Sequence, residues 1–308
     1  MIEGQEGVTW EQWRSIARAC ERSSIPTLFR SDHYMNLDGE HPERGSLDAW
    51  GTLCALAAVT EKLRLGTLVS PATFRHPAEL AKLVTTADVI SGGRIELGLG
   101  AGWHEREHEA YGFPLGDLRS RMDLLAEQLQ VVLGSWAPGS FSFDGDHYRL
   151  RDLDAQPKPV QDPHPPLIIG GNALPRGAGL AARYADEYNT LYATPSEVIE
   201  RRARVDAACE RLGREPLPFS LMTVVIAGTD RADLEARVRR VAAARGASAD
   251  ELLAGQGSGW IVGTIDQAVE QLLALRAVGV ERVICQHFAH EDLEFVELVG
   301  AELAPHVS

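Results

Sequence analysis

The sequence is short of everything that would place it outside the ordinary enzyme-like globular class. No apolar run approaches the ~18 residues of a membrane span, and no basic-then-apolar leader opens the chain, so a soluble cytoplasmic protein is expected. Positive charge is scarce: 30 Lys and Arg stand against 44 Asp and Glu, a formal net charge of −14. Such a chain repels phosphate backbones at long range, which argues against nucleic acid as a partner. A local pocket for one anionic cofactor stays open to it, because such pockets use backbone N–H groups as much as net charge. Cysteine is sparse as well. Cys20, Cys54, Cys209 and Cys285 are widely spaced, with no C-x-x-C. They fall inside helix or strand patterns and read as small buried hydrophobes, not as disulfides or metal ligands. There is no internal repeat and no low-complexity tract.

What the chain does have is 308 residues with 44% hydrophobic and 24% charged content, a balance that supports a large core without staples. Short β-like runs alternate with amphipathic helices along its whole length. Helical spacing over 10–22 precedes a strand at 25–29, and a helix at 47–60 precedes a strand at 63–69 that ends in Ser70-Pro71. The helix at 77–90 begins with Pro77 in its first turn and stops at Ser91-Gly92-Gly93. A strand at 94–99, a helix at 118–133, a strand at 167–169 and a helix at 174–184 follow. Strands at 187–191 and 219–227 precede helices at 195–212 and 231–245. Trp260 to Gly263 leads into a helix at 264–277, and a strand at 282–286 precedes the closing helix at 292–303.

Strands followed by helices throughout imply a parallel sheet with both faces covered. About eight such units in one chain favour closure into a (β/α)8 TIM barrel, a single domain over 1–308. Two irregularities are expected. Only Met1, Ile2 and Glu3 precede Gly4, so the first strand is a stub or the true start lies upstream. Asp144-Gly145, flanked by aromatic and apolar residues, predicts a short hairpin inserted at 141–150. The proline-rich stretch after it (Pro157 to Pro166) reads as a loop, because the same rhythm resumes at once.

Barrel chemistry sits at the C-terminal ends of the strands. There the sequence places Gly4-Gln5-Glu6-Gly7, Ser31-Asp32-His33-Tyr34, Ser70-Pro71-Ala72-Thr73-Phe74-Arg75-His76, Gly100-Ala101-Gly102-Trp103-His104 and Gly170-Gly171-Asn172. The run from Gly98 to Trp103 fails the dinucleotide fingerprint, because Trp103 stands where G-x-G-x-x-G needs its last glycine. His104-Glu105-Arg106-Glu107-His108 is literally H-E-x-x-H, the zinc-hydrolase pattern. Its flanks are almost wholly charged and no third histidine follows at the expected spacing. A solvated charged turn, without metal, is the expected reading. His33 is a candidate proton shuttle, since histidine titrates near neutrality. Gly170, Gly171 and Asn172 precede a helix start, where backbone N–H groups suit a phosphate.

Taken together these motifs carry a resemblance. Ser31-Asp32-His33, Leu65 to Pro71, Thr73 to Pro77, Ser91 to Arg94, Gly98 to Trp103, Gly170-Gly171-Asn172 and Trp260 to Gly263 span nearly the whole chain. In them the chain resembles the luciferase-like monooxygenase superfamily, particularly its coenzyme F420-dependent branch. The resemblance implies a barrel with an insertion, usually a homodimer, with reduced deazaflavin (coenzyme F420) or FMN across the mouth. By the same resemblance Asp32 and His33 meet the reactive ring, and Leu68, Val69 and Ser70 back it, with a cis peptide at Leu68–Val69. Gly100, Ala101 and Gly102 then approach the cofactor, Gly170, Gly171 and Asn172 hold its phosphate, and Gln5, Tyr34, Trp103 and Phe113 wall the substrate side. The sugar-phosphate dehydrogenases of this branch carry glutamate where this chain has Trp103, so their substrate is not implied. The expected activity is hydride transfer between reduced F420 and a small organic substrate, with His33 handling the proton and Asp32 orienting it or contacting the cofactor. The alternatives are an FMNH2-dependent monooxygenase served by a separate reductase, a zinc hydrolase using His104 and His108, and a family member that binds cofactor without catalysis.

Overall fold

The computed structural model describes residues 1–23, 25–37, 41, 43–254 and 259–307. Its elements run α1 (Trp10–Arg22), β1 (Thr27–Arg30), α2 (Ala49–Val59), β2 (Arg64–Pro71), α3 (Pro77–Ser91), β3 (Ile95–Gly100), α4 (Glu105–Tyr111) and α5 (Leu118–Trp136). After the hairpin β4 (Phe141–Asp144) and β5 (Arg149–Leu153) come β6 (Leu167–Gly170), α6 (Pro175–Tyr184), β7 (Glu187–Leu191) and α7 (Pro195–Arg211). The chain closes with β8 (Phe219–Gly228), α8 (Arg231–Arg245), α9 (Ala249–Ala254), β9 (Ile261–Thr264), α10 (Ile265–Ala277), β10 (Arg282–Gln286) and α11 (Leu293–Leu298). Among the described residues no helix is long and apolar enough to cross a membrane.

Local chemistry explains most boundaries. Thr9 and Gln12 form a reciprocal capping box at the start of α1, and Thr194 with Glu197 does the same for α7. α3 opens on Pro77 and ends on Gly92, whose φ of 68° is the left-handed cap that glycine adopts without penalty. The closing helix departs from expectation: α11 ends at Leu298 and a π-helical turn, Val299–Leu303, completes the segment.

The sheet runs β1-β2-β3-β6-β7-β8-β10, every pair parallel, with β9 pairing the C-terminal half of β8. Ile2 supplies the missing member. It bridges Arg30 at the end of β1 and His287 just beyond β10, both in parallel sense. Its N–H donates to Phe29 O at 3.0 Å and its carbonyl accepts from Ser31 N–H at 3.1 Å, while His287 N–H donates to Met1 O at 2.9 Å. The expected stub is therefore a one-residue bridge, and it joins the two sheet edges into a ring.

Inside the ring, Met1, Phe29, Leu68, Ile168, Met222 and Ile284 form a small apolar plug, while a larger core fills the layer between sheet and helices. At the N-terminal end of the strands, Glu96 accepts from Arg64 Nε at 2.7 Å and from Arg282 Nη1 at 2.8 Å, and Arg282 also reaches Glu187 at 3.1 Å. This ion network seals the floor. The inserted hairpin stands outside the ring, its turn held by Glu127 of α5, which accepts the N–H groups of Asp146, His147 and Tyr148.

Gly98 shows how tightly β2 and β3 approach. A Cβ there would lie 2.3 Å from Thr67 O and 3.0 Å from the Val69 side chain. Gly98→Ala is expected to lower stability by roughly 1–3 kcal/mol, the cost of overpacking against backbone, read as a reduced urea midpoint with an unchanged slope.

Candidate functional site

At the C-terminal mouth lies a cavity of about 1880 Å³. Ordinary small-molecule pockets reach ~1,000 Å³, so this one has room for two molecules side by side. Gln5, His33, Leu68, Val69, Gly100, Ala101, Gly102, Trp103, Gly170, Gly171 and Asn172 all line it. Loops scattered over the sequence thus meet at one mouth, as the strand-end motifs predict.

One wall is built around Val69, whose peptide bond with Leu68 is cis. A Cβ on Gly100 would come within 2.7 Å of the Val69 side chain, and one on Gly170 within 3.1 Å. These glycines make room for Val69, which in turn presents a smooth apolar face to the cavity. Both also line the cavity themselves, Gly100 where the cofactor ring and Gly170 where its phosphate is expected. Beyond this wall, Gly171 N–H is already taken by Asn189 O at 3.0 Å, and Ala173 N–H by Tyr188 Oη at 2.6 Å. The available donors are those of the first turn of α6, which has no side-chain cap and opens on Pro175. Arg176 and Gly177 of that turn line the cavity, and Arg119 lies on the same rim.

Four expected site residues do not line it. Asp32 is buried, and both its oxygens are claimed by Arg75, at 2.6 and 3.2 Å. Ser70 turns away from the mouth to donate to Asp32 at 2.5 Å, and accepts from Trp50 Nε1 at 3.1 Å. Asp32 therefore anchors the ends of β1 and β2 and neither touches the cavity nor orients His33. Tyr34 and Phe113 join Phe74 and Tyr111 in an aromatic cluster behind the wall, with ring centroids 5.0–5.8 Å apart.

The partner of His33 is Glu107. His33 Nδ1 lies 2.7 Å from Glu107 Oε2, and Glu107 Oε1 accepts the backbone N–H groups of Tyr34 and Met35. Burial opposes a charge on His33, but the hydrogen bond and the negative charge of Glu107 outweigh it and raise its pKa. Burial likewise opposes ionisation of Glu107, and His33 with the two backbone donors overcomes it, leaving the carboxyl below its ordinary range. Both shifts favour the ionised form of this hydrogen-bonded pair at the edge of the cavity. Neighbouring His104 goes the other way, its pKa lowered chiefly by burial.

The charged segment is solvated only in part: Glu105 and Arg106 are exposed as expected, but its other members are not. Glu107 and His108 of α4 are buried, and so is His104 just before it. Nor does it form the zinc pattern. His108 spends Nδ1 on His104 O and Nε2 on Thr73 Oγ1, each at 2.7 Å, with its ring against Phe74. Among the described residues the group within 4.8 Å is instead His33, His104 and Glu107, and there His33 Nδ1 and Glu107 are already hydrogen-bonded to each other.

The roles of Glu107 and Arg75 were not legible in the sequence. Each is a charged residue in a polar stretch, and only contacts with residues 32–35 reveal its role. Two tests follow. Asp32→Ala removes the buried partner of Arg75 and leaves it only the half-exposed Asp48 at 2.7 Å, which is expected to cost up to about 3 kcal/mol in denaturant unfolding. For His33 the linkage has a sign. Its raised pKa stabilises the fold fully below the ordinary histidine pKa and is lost as pH rises through the folded value, while Glu107 contributes above the ordinary glutamate pKa and is lost as pH falls through its own. An NMR titration of the His33 ring is expected to give a midpoint above the ordinary histidine value that moves down in Glu107→Gln, where burial is opposed only by the charges of Glu3 and Asp32.

Comparison with known proteins agrees with this geometry. The description "Luciferase-like monooxygenase" matches residues 2–282. An FMNH2-dependent dimethylsulfone monooxygenase of Pseudomonas putida is 30% identical over 279 residues, covering 82% of this chain and 76% of that one. The pyrimidine monooxygenase RutA of Stutzerimonas stutzeri (strain A1501) is 33% identical over 193 residues, 61% of this chain but only about half (52%) of the relative. Among solved structures, the coenzyme F420-dependent tetrahydromethanopterin reductase of Methanopyrus kandleri superposes with a TM-score of 0.81 at 19% identity, covering 100% of this chain and 98% of that one. That likeness is one of fold. With a match across nearly its whole length and a ring-closed mouth of the same architecture, this chain belongs to the luciferase-like monooxygenase family.

Proposed function

We propose that the chain transfers a hydride between reduced coenzyme F420 and a small organic substrate, with His33 as the proton donor. The observation that carries this reading is the His33–Glu107 pair: Nδ1 is tied to the carboxylate, while the ring reaches the cavity. Nε2 of an imidazolium so held is a proton source fixed in place. When bound, the deazaflavin supplies the hydride that such a proton must accompany.

The residues present fit a planar cofactor with an anionic tail. The Val69 face backs the ring, and Gly100, Ala101 and Gly102 border it. The open first turn of α6, with Arg176 beside it, takes the phosphate; Asn172 lies at the same end. Gln5 and Trp103 bound the substrate side. The chain's own task is to hold the two molecules in contact and exclude water. The same reading includes a homodimer and a cytoplasmic location.

A second reading is favoured by one observation, the FMNH2-dependent relative that matches 82% of the chain. An FMNH2-dependent monooxygenase would use the same wall and tail site, with a separate reductase supplying the reduced flavin. The two are separated by incubating the protein with each reduced cofactor, removing excess by gel filtration and recording the spectrum of what is retained. Retention of F420 is expected. Retention of FMN with none of the deazaflavin replaces the first reading by the second. With a turned-over substrate in hand, His33→Ala is expected to lower kcat by ~10²–10⁴-fold with cofactor affinity little changed. An unaltered kcat would remove His33 from the chemistry.

A further inference from the structure

Around Ile2, between β1 and β10, the cavity is polar, and the hydrogen bonds about Glu3 all point one way. Gly4 N–H donates to Ser31 Oγ at 3.1 Å, and Ser31 donates to Gln5 Oε1 at 2.5 Å. That fixes the Gln5 amide, whose Nε2 donates to Glu3 Oε2 at 2.8 Å. From the other side Tyr192 Oη donates to Gln286 Oε1, which fixes that amide too, and Gln286 Nε2 donates to Glu3 Oε1 at 2.5 Å. Two chains of donors thus converge on one carboxylate. Each Glu3 oxygen accepts from one amide.

Glu3 lines the cavity and is only 7% exposed. Among the described residues no cation pairs with it. The rim guanidinium of Arg44 is paired with Glu6 at 2.9 Å, and the Met1 ammonium donates to Cys285 O at 2.8 Å. A buried carboxylate held by two neutral amides has lone pairs left over; the Met1 ammonium, Arg30 and His33 act on it through space, without a direct ion pair. His290, on the same side of the cavity, adds a buried Nε2 without a partner.

We infer that Glu3 is a substrate anchor that accepts an N–H donor, so that the small molecule taken beside the cofactor is a nitrogen compound of amidine, amine or amide type. The network makes this selective. A substrate carboxylate would face Glu3 with repulsion, and a substrate offering only acceptors would leave the Glu3 lone pairs unmet. The inference rests on the redox reading above, in which Val69 and α6 hold the cofactor and leave this half of the cavity to the substrate.

The test is calorimetric titration of the protein with benzamidine, benzyl alcohol and benzoate as probes, with and without retained cofactor. Benzamidine is expected to bind about tenfold or more tighter than benzoate, the size of one hydrogen bond to a charged group. Glu3→Gln is expected to abolish that preference while cofactor retention persists. Should that variant fail to fold, judged by its circular-dichroism melt, the wild-type contrast between the probes decides alone. Equal binding of the probes, no binding of benzamidine, or a preference unchanged in Glu3→Gln overturns the assignment. Displacement of benzamidine by cofactor, with weaker cofactor binding in Glu3→Gln, also overturns it, because the N–H partner would then be the cofactor ring. Cofactor retention scored on the same samples keeps the two readings apart: its loss counts against the redox reading, its survival without an amidine preference against Glu3 alone.

Discussion

Met1 and Ile2 together hydrogen-bond both edges of the sheet, Ile2 to Phe29 and Ser31 and Met1 to Cys285 and His287, and the mouth of the barrel is shaped by those bonds. A seven-stranded path open between β1 and β10 would place Ser31 and Gln286 on free edges. With Ile2 between them, Glu3, Gln5, Ser31 and Gln286 become neighbours, and the polar half of the cavity takes form. Parallel strands closed in this way put every strand end on one rim. This is how residues from 3 to 290 come to share one site.

The rim is stiffened by charge pairs buried at two depths. Asp32 and His33 are adjacent in sequence, yet each has its own partner: Arg75 binds Asp32 beneath the wall, and Glu107 binds His33 at its surface. Successive residues leaving a strand point to opposite sides, so one serves the scaffold and the other the cavity. The aromatic cluster of Tyr34, Phe74, Tyr111 and Phe113 packs α4 against the loop after β1, and Arg75 lies over the Tyr34 ring at 5.4 Å. Glu107 is carried on that same α4, so the position of His33 depends on the cluster as well as on its hydrogen bond.

The architecture was legible in the sequence because its signals are local. β7 and α8 lie where periodicity and their flanking turn residues place them, and β10 follows the same logic. The hairpin is announced by Asp144-Gly145, and the ends of α3 by Pro77 and Gly92. The gathering of strand ends at one mouth followed from the barrel itself. What could not be read was direction and pairing at the site. Tyr34 and Phe113 are aromatic residues in loops, and only packing shows that they face each other and not the cavity. The segment from His104 to His108 is charged by composition, and its partial burial is decided by residues some seventy positions earlier. Arg75 stands at a strand end in the sequence, but nothing local pairs it with Asp32, 43 positions before it.

Trp103 is the one tryptophan among the exposed large side chains, 60% exposed, on the lip of the cavity and edge-on to His33 at 6.0 Å. Trp13, Trp50 and Trp136 are sunk in the core. An indole so placed is an optical reporter wired to the mouth: whatever enters beside it changes its solvent shell, and protonation of the facing imidazole changes the field across its ring. The emission of this one side chain can thus register both the filling of the cleft and the ionic state of the group that guards it.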